Sequence, residues 1–161
     1  MSNVRVWLLL KNLLFTVFVP GTVTVLVPWR ILVRTGWGTI PDIGWPQGLA
    51  LFPAATALGI YLWCVRDFMV VGRGTPAPID PPKQLVAGGL YRVTRNPMYV
   101  GVLSLIAAEA LFFASPWLLL YAVAVFAMFH AFVVFYEEPT LRRLFGQAYV
   151  DYTMRVPRWL W

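Results

Sequence analysis

Arg92 and Arg95 stand just before Asn96-Pro97, in the stretch GGLYRVTRNPMYVG (Gly88 to Gly101), where a polar, basic segment runs straight into an apolar one. Asparagine is a favoured helix N-cap and proline a favoured first helical residue, so a helix is expected to begin here. A helix N-terminus flanked by two guanidinium groups suits an anionic group held at a membrane surface. The same arginines would also serve as plain anchors to lipid headgroups. Tyr99 and Gly101 fall in the first turns of that helix, where water gives way to hydrocarbon, and a glycine there lets a ligand or a second backbone come close. Glu137 and Glu138 form the second reactive set. Two adjacent carboxylates at a membrane boundary are costly unless paired or solvated. Two readings fit them: an ion pair with Arg92 and Arg95 that staples two helices, or one wall of a site that all four charges share.

The elements that must position these groups are membrane-spanning. With 60% hydrophobic residues, 16% aromatic and only 12% charged, the 161-residue chain is expected to be all-α, a polytopic helical bundle in a bilayer. The net charge of +6 comes from basic residues that flank apolar spans, which points to a membrane surface and excludes nucleic acid as the partner. One cysteine, Cys64, provides neither a disulfide framework nor a zinc set. The N-terminus lacks the short apolar core and small-residue site of a cleaved signal peptide.

About four spans are expected. The first covers roughly Asn12 to Trp29, with a kink at Pro20-Gly21. A Gly/Pro loop, Thr35 to Gly48, carries Trp37 and Trp45 for an interfacial belt, and a second span covers about Gly48 to Val65. Gly72 to Gly89 follows as a polar loop, whose Pro76, Pro78, Pro81 and Pro82 forbid a regular helix and fix its path. The third span runs from Pro97 to Ala114, turns at Ser115-Pro116, and pairs as an antiparallel hairpin with the fourth, Trp117 to Tyr136. With four spans, eleven of the thirteen Lys and Arg residues share one side, against Arg30 and Arg34 on the other. The positive-inside rule then puts both termini and the Gly72–Asn96 loop in the cytoplasm (of a plasma or bacterial inner membrane).

Glu137-Glu138-Pro139 is expected to end the fourth span. Beyond it Leu141, Leu144, Phe145, Ala148, Tyr149 and Tyr152 recur at helical spacing, with Arg142, Arg143, Gln147 and Asp151 opposite. That predicts one C-terminal amphipathic helix at the interface or capping the bundle. Two polar residues lie deeper. His130 shares a helix face with Glu137 about 10 Å above it, and either makes an interhelical hydrogen bond or lines a cavity. Glu109 is either a hydrogen-bonded packing residue or part of a lipid-facing opening.

Two blocks in this order, GTPAP-x-DPP-x-x-LV-x-x-GLYR-x-TRNPMYVG and EEP-x-L-x-x-x-FG-x-x-Y-x-x-Y-x-x-x-VPRW, resemble the isoprenylcysteine carboxyl methyltransferase and phospholipid methyltransferase superfamily. Its members are integral membrane enzymes that use S-adenosylmethionine. The resemblance covers about Gly72 to Trp159, and Asn96 stands where the family more often has histidine. It implies a single membrane domain. Residues 72–161 would form the cofactor region, and the N-terminal spans, 1–71, the surface for a lipophilic acceptor. The acceptor classes it leaves open are a prenylcysteine-like carboxylate, a phospholipid amine, or a small thiol or phenol.

The implied cofactor pocket lies between the ends of the last two spans, closed by the tail. It draws on Leu90, Tyr91, Arg92, Arg95, Asn96, Pro97, Tyr99, Gly101, Glu137, Glu138, Tyr149 and Tyr152. Arg92 or Arg95 would hold the methionine carboxylate. Glu137 or Glu138 would accept from the ribose hydroxyls or the ammonium, and the tyrosines would line the adenine and the sulfonium. Asn96 and Glu138 would stand nearest the chemistry, with Glu138 as general base for an acceptor that arrives protonated. Two rival readings are an NADPH-dependent reductase of the membrane sterol type, whose corresponding segment lacks the Glu-Glu pair, and a non-catalytic membrane interaction protein.

Overall fold

A computed structural model describes residues 2–72 and 83–160. The proline-rich part of the expected fixed loop, residues 73–82, lies outside the described residues. Across it, the Lys83 N–H donates to the Gly72 carbonyl at 2.9 Å.

The described residues are helical and form no strand. The first rod is longer than the sequence suggested. Helix α1 (Ser2–Phe18) continues through Pro20-Gly21 into a π-helical stretch (Thr22–Leu26) and α2 (Val27–Thr35). Instead of a simple kink, the helix changes register, and the reason is proline. Pro28 has no N–H to give, and in the wider π register its partner would have been the Val23 carbonyl. The Tyr121 hydroxyl of a later helix donates to that carbonyl at 2.9 Å, so the freed acceptor becomes a tie between spans. Gly36, at φ 77, ends the rod.

Helix α3 (Trp45–Val70) is longer at both ends than the expected second span. A short 3-10 turn (Gly89–Arg92) then leads to α4 (Pro97–Phe112). After a tight turn at Ala114-Ser115, α5 (Pro116–Phe132) runs back against α4. The expected stop at Glu137-Glu138-Pro139 does not occur. A second π-helical stretch (Val133–Glu137) carries the chain past Pro139 into α6 (Glu138–Phe145). The single amphipathic helix expected beyond it is divided. Gly146, at φ 54, ends α6 and α7 (Gln147–Arg155) follows at a new angle.

Among the described residues, three rods are long and apolar enough to cross a membrane: Leu9–Thr35, Trp45–Val70 and Pro116–Phe145. Helix α4 has 16 residues, about 24 Å at 1.5 Å per residue, short of a full hydrocarbon core of about 30 Å. It is the central helix, packed between α3 and α5, with Met98, Val102, Ile106, Ala108 and Ala110 buried. The core runs through Tyr61, Cys64, Tyr91, Met98, Val102, Ile106 and Val125. Outward faces are the reverse of a water-soluble protein's, with Phe52 and Phe135 about four-fifths exposed (78% and 81%), as lipid solvent allows.

Candidate active site

Packing α4 between α3 and α5 brings the N-terminal end of α4 to the same end of the bundle as the last turns of α5. The Arg-Asn-Pro turn and the Glu-Glu pair therefore meet. Helix α7 folds back over the junction, with Tyr149, Tyr152 and Val156 packed on Leu85, Ala87, Leu141 and Phe145. Between them lies an open cleft of about 80 Å³, several times the ~10–15 Å³ that one water needs. The junction is not packed solid.

Eight of the residues singled out in the sequence line this cleft: Tyr91, Arg95, Asn96, Tyr99, Glu137, Glu138, Tyr149 and Tyr152. Four do not. Leu90 packs on the core cluster, and Pro97 is buried as the first residue of α4. Arg92 is exposed and outside the cleft, so the two guanidiniums of the sequence reading separate and only Arg95 meets the carboxylates. Gly101 faces the other way. A Cβ there would stand 3.2 Å from the Ala57 carbonyl and 3.3 Å from Ile60 Cγ2, so this glycine lets α4 approach α3. It lines a second, mostly apolar cavity of about 120 Å³ between the first rod, α3 and α4.

The two carboxylates, adjacent in sequence, have different surroundings. Glu137 Oε2 accepts from the Tyr99 hydroxyl at 2.8 Å. Glu138 Oε1 accepts from Arg95 Nη1 at 3.0 Å and from Arg158 Nε at 2.7 Å, and its Oε2 accepts from Arg158 Nη2 at 3.0 Å. Both Glu138 oxygens are thus held by guanidinium donors. Arg95 remains unsatisfied in one respect: its Nε is buried with no hydrogen-bond partner.

Asn96 also departs from expectation. Its side chain does not cap α4. Instead Nδ2 donates to the Arg158 carbonyl at 2.9 Å, beside a second bond to that carbonyl from the Thr94 hydroxyl at 3.0 Å. The Arg95 N–H donates to the Pro157 carbonyl at 2.9 Å. The segment Val156–Trp159 is therefore a strap across the Arg-Asn-Pro turn. Its far end is fixed by Trp159 Nε1, which donates to His130 Nδ1 at 3.1 Å with the rings stacked. His130 thus makes a hydrogen bond, but to the strap and not, as expected, to another helix. Glu109 lies apart from the cluster, on α4, with a buried Oε2 that has no partner.

The tyrosines form the remaining wall. The Tyr152 hydroxyl donates to the Tyr91 carbonyl at 2.7 Å. Burial raises the hydroxyls of Tyr91, Tyr149 and Tyr152 above the ordinary phenol value; the Glu138 carboxylate adds to this at Tyr149, against the opposing pull of Arg95. All three stay protonated at neutral pH. Phe68, Phe132, Val133 and Tyr136 supply an apolar side to the cleft. Sequence reasoning missed them because they read as ordinary span residues. It also missed Arg158, counted only as one more basic residue, although it stands in the VPRW block.

A family model for phospholipid methyltransferases matches residues 47–148, well over half of the chain and nearly all of the cleft. A curated relative, protein-S-isoprenylcysteine O-methyltransferase B of Arabidopsis thaliana, is 34% identical over 74 residues, which are 46% of this chain and 38% of the relative. No solved structure matches the chain. With the cleft at the Arg-Asn-Pro and Glu-Glu junction and most of the chain inside the family's match, this membrane protein belongs to the phospholipid methyltransferase family.

Proposed function

We propose that the chain is a membrane methyltransferase that uses S-adenosylmethionine to methylate a lipophilic acceptor at the cytoplasmic interface of the bilayer. The observation that carries this reading is the cleft in which Arg95, Tyr99 and Glu137 converge under a wall of tyrosines, with an unsatisfied Arg95 Nε. A buried donor without a partner costs about 1–3 kcal/mol or more, and a ligand carboxylate would satisfy it. The methyl donor has such a carboxylate, with an ammonium, a sulfonium, ribose hydroxyls and an adenine, and the cleft offers a complement to each. Arg95 would hold the carboxylate. Glu137, tied to Tyr99 through one oxygen, would take the ammonium or a ribose hydroxyl with the other. Tyr91, Tyr149 and Tyr152 would lie against the adenine and the cation.

Bound there, S-adenosylmethionine supplies an electrophilic methyl group, and an in-line displacement asks the protein for position and dryness more than for acid or base. The tail and its strap cover one side of the junction. Tyr99, pinned by Glu137, keeps its ring beside Phe129 at 4.6 Å and so fixes one wall. The apolar side formed by Phe68, Phe132, Val133 and Tyr136 suits an acceptor arriving from the bilayer, and the N-terminal spans would supply the rest of its surface.

Isothermal titration of the solubilised protein with S-adenosylhomocysteine and, separately, NADPH tests the cofactor. Heat with the former supports the reading; binding of NADPH alone overturns it. A labelled methyl-transfer assay against a lipid extract and a panel of thiols then identifies the acceptor.

A further inference from the structure

The C-terminal strap, Val156–Trp159, lies outside the residues that the family model matches. It nonetheless makes more polar contacts to the Arg-Asn-Pro turn than any spacing in the sequence foreshadows. Arg158 is its centre. Its carbonyl receives Thr94 and Asn96, and its guanidinium forks onto both oxygens of Glu138 at 2.7 and 3.0 Å. Arg95 reaches the same carboxylate through Nη1 alone, and its Nε is left buried and unpaired although a carboxylate stands 3.0 Å from the neighbouring nitrogen. That arrangement needs a cause, because an arginine beside a free carboxylate closes a two-pronged pair through adjacent nitrogens. The cause is orientation: the two-pronged contact from Arg158 fixes the plane of the Glu138 carboxylate, with Oε2 on Arg158 Nη2 and only Oε1 left to Arg95.

We infer that Arg158 is a positioning residue: by fixing the orientation of Glu138 it keeps Arg95 Nε open for the carboxylate of the methyl donor. The inference rests on the proposed function. Without Arg158, Glu138 swings to chelate Arg95, the open donor is consumed within the protein, and the ligand carboxylate loses its partner. A general loosening of the tail would weaken every ligand alike, whereas this mechanism touches only ligands with a carboxylate.

The test compares two ligands on the full chain in detergent by isothermal titration. S-adenosylhomocysteine has the amino-acid end; 5′-methylthioadenosine has the same nucleoside and sulfur without it. In Arg158→Ala, affinity for S-adenosylhomocysteine is expected to fall about tenfold to a hundredfold, the size of one hydrogen bond to a charged group. Affinity for methylthioadenosine should stay within about twofold, as expected when the perturbed group is not touched. Arg158→Lys restores the charge without the fork and should recover only part of the loss; it carries the same comparison if the alanine variant does not fold. Unchanged S-adenosylhomocysteine binding in both variants overturns the inference, as does an equal loss for both ligands. If the wild type binds neither ligand, the proposed function falls, and this inference with it. If the wild type binds S-adenosylhomocysteine and the variants match it, only this inference falls.

Discussion

Glu137 and Glu138 are adjacent, carry the same charge and border the same cleft, so substituting each in turn separates holding the fold from holding a ligand. Glu138→Ala removes the anion between two guanidiniums, whose side chains are 13% (Arg95) and 32% (Arg158) exposed. Breaking a buried ion pair from one side costs about 3–5 kcal/mol. Arg158 is exposed enough to regain water, so a cost at or below the bottom of that range, about 2–3 kcal/mol, is expected here. At about 2–4 °C per kcal/mol for a chain of this length, the thermal midpoint should drop by roughly 5–10 °C. Glu137→Gln is nearly isosteric, and the amide oxygen still accepts from the Tyr99 hydroxyl, which now stands 2.8 Å from Oε2. Its cost in stability should be under about 1 kcal/mol. What it loses is the negative charge, so S-adenosylhomocysteine binding should weaken about tenfold or more. Thermal unfolding and titration on the same preparations give both quantities. The reasoning fails if Glu137→Gln lowers the midpoint as far as Glu138→Ala while leaving ligand affinity unchanged; both acids would then be staples.

Gly89→Ala should lower the thermal midpoint, because Gly89 sits at φ +57 and a Cβ would stand 2.9 Å from Asp67 Oδ2 and 3.2 Å from Trp63 Nε1; a cost of about 1–3 kcal/mol is expected in thermal unfolding. Gly101→Ala should also destabilise, by about 1–3 kcal/mol through forcing α4 off α3, while ligand affinity measured at low temperature changes little, since Gly101 faces away from the cleft. For pH, burial holds the hydroxyls of Tyr91, Tyr149 and Tyr152 above the ordinary phenol range in the fold. Their contribution to stability is full below pH ~10 and is lost as pH rises through the folded values. The midpoint should hold between neutrality and pH ~9 and fall above ~10, with a smaller fall in Tyr149→Phe.

Much of this architecture was legible. Composition dictated an all-helical membrane bundle, and Asn96-Pro97 and Ser115-Pro116 marked the starts of the two helices that carry the cleft, because prolines punctuate a chain locally. What was illegible was non-local or depended on register. Gly146 breaks the tail helix, yet the apolar spacing runs unbroken across it from Leu141 to Tyr152, since both pieces pack on one surface. Arg92 and Arg95 look equivalent in the sequence, and only the turn between them decides that one faces the carboxylates. Arg158 is 20 residues from Glu138, and its carbonyl accepts from Thr94 and Asn96 across 64 and 62 residues. No periodicity spans such distances.

Pro139 shows how the missed register matters to the site. Read locally, a proline after two glutamates ends a helix, and that reading would leave Glu137 and Glu138 on a frayed terminus. In the structure the π-helical stretch Val133–Glu137 absorbs the proline, as Thr22–Leu26 does before Pro28, and the helix continues. Adjacent residues on an α-helix diverge by about 100°. The π stretch adds about one residue of rotation ahead of the pair, so it sets which way both side chains face relative to the helix before it. Here both border one cleft while reaching different partners, Tyr99 on one side and the two arginines on the other. Such insertions recur at functional sites because they re-aim side chains without ending the helix. Replacing Pro139 with alanine would remove the reason for the wider register. With the α register restored, Glu137 and Glu138 would rotate together by about 100° relative to the helix before them. Titration of this variant with S-adenosylhomocysteine should then show weakened binding; unchanged affinity would refute the account.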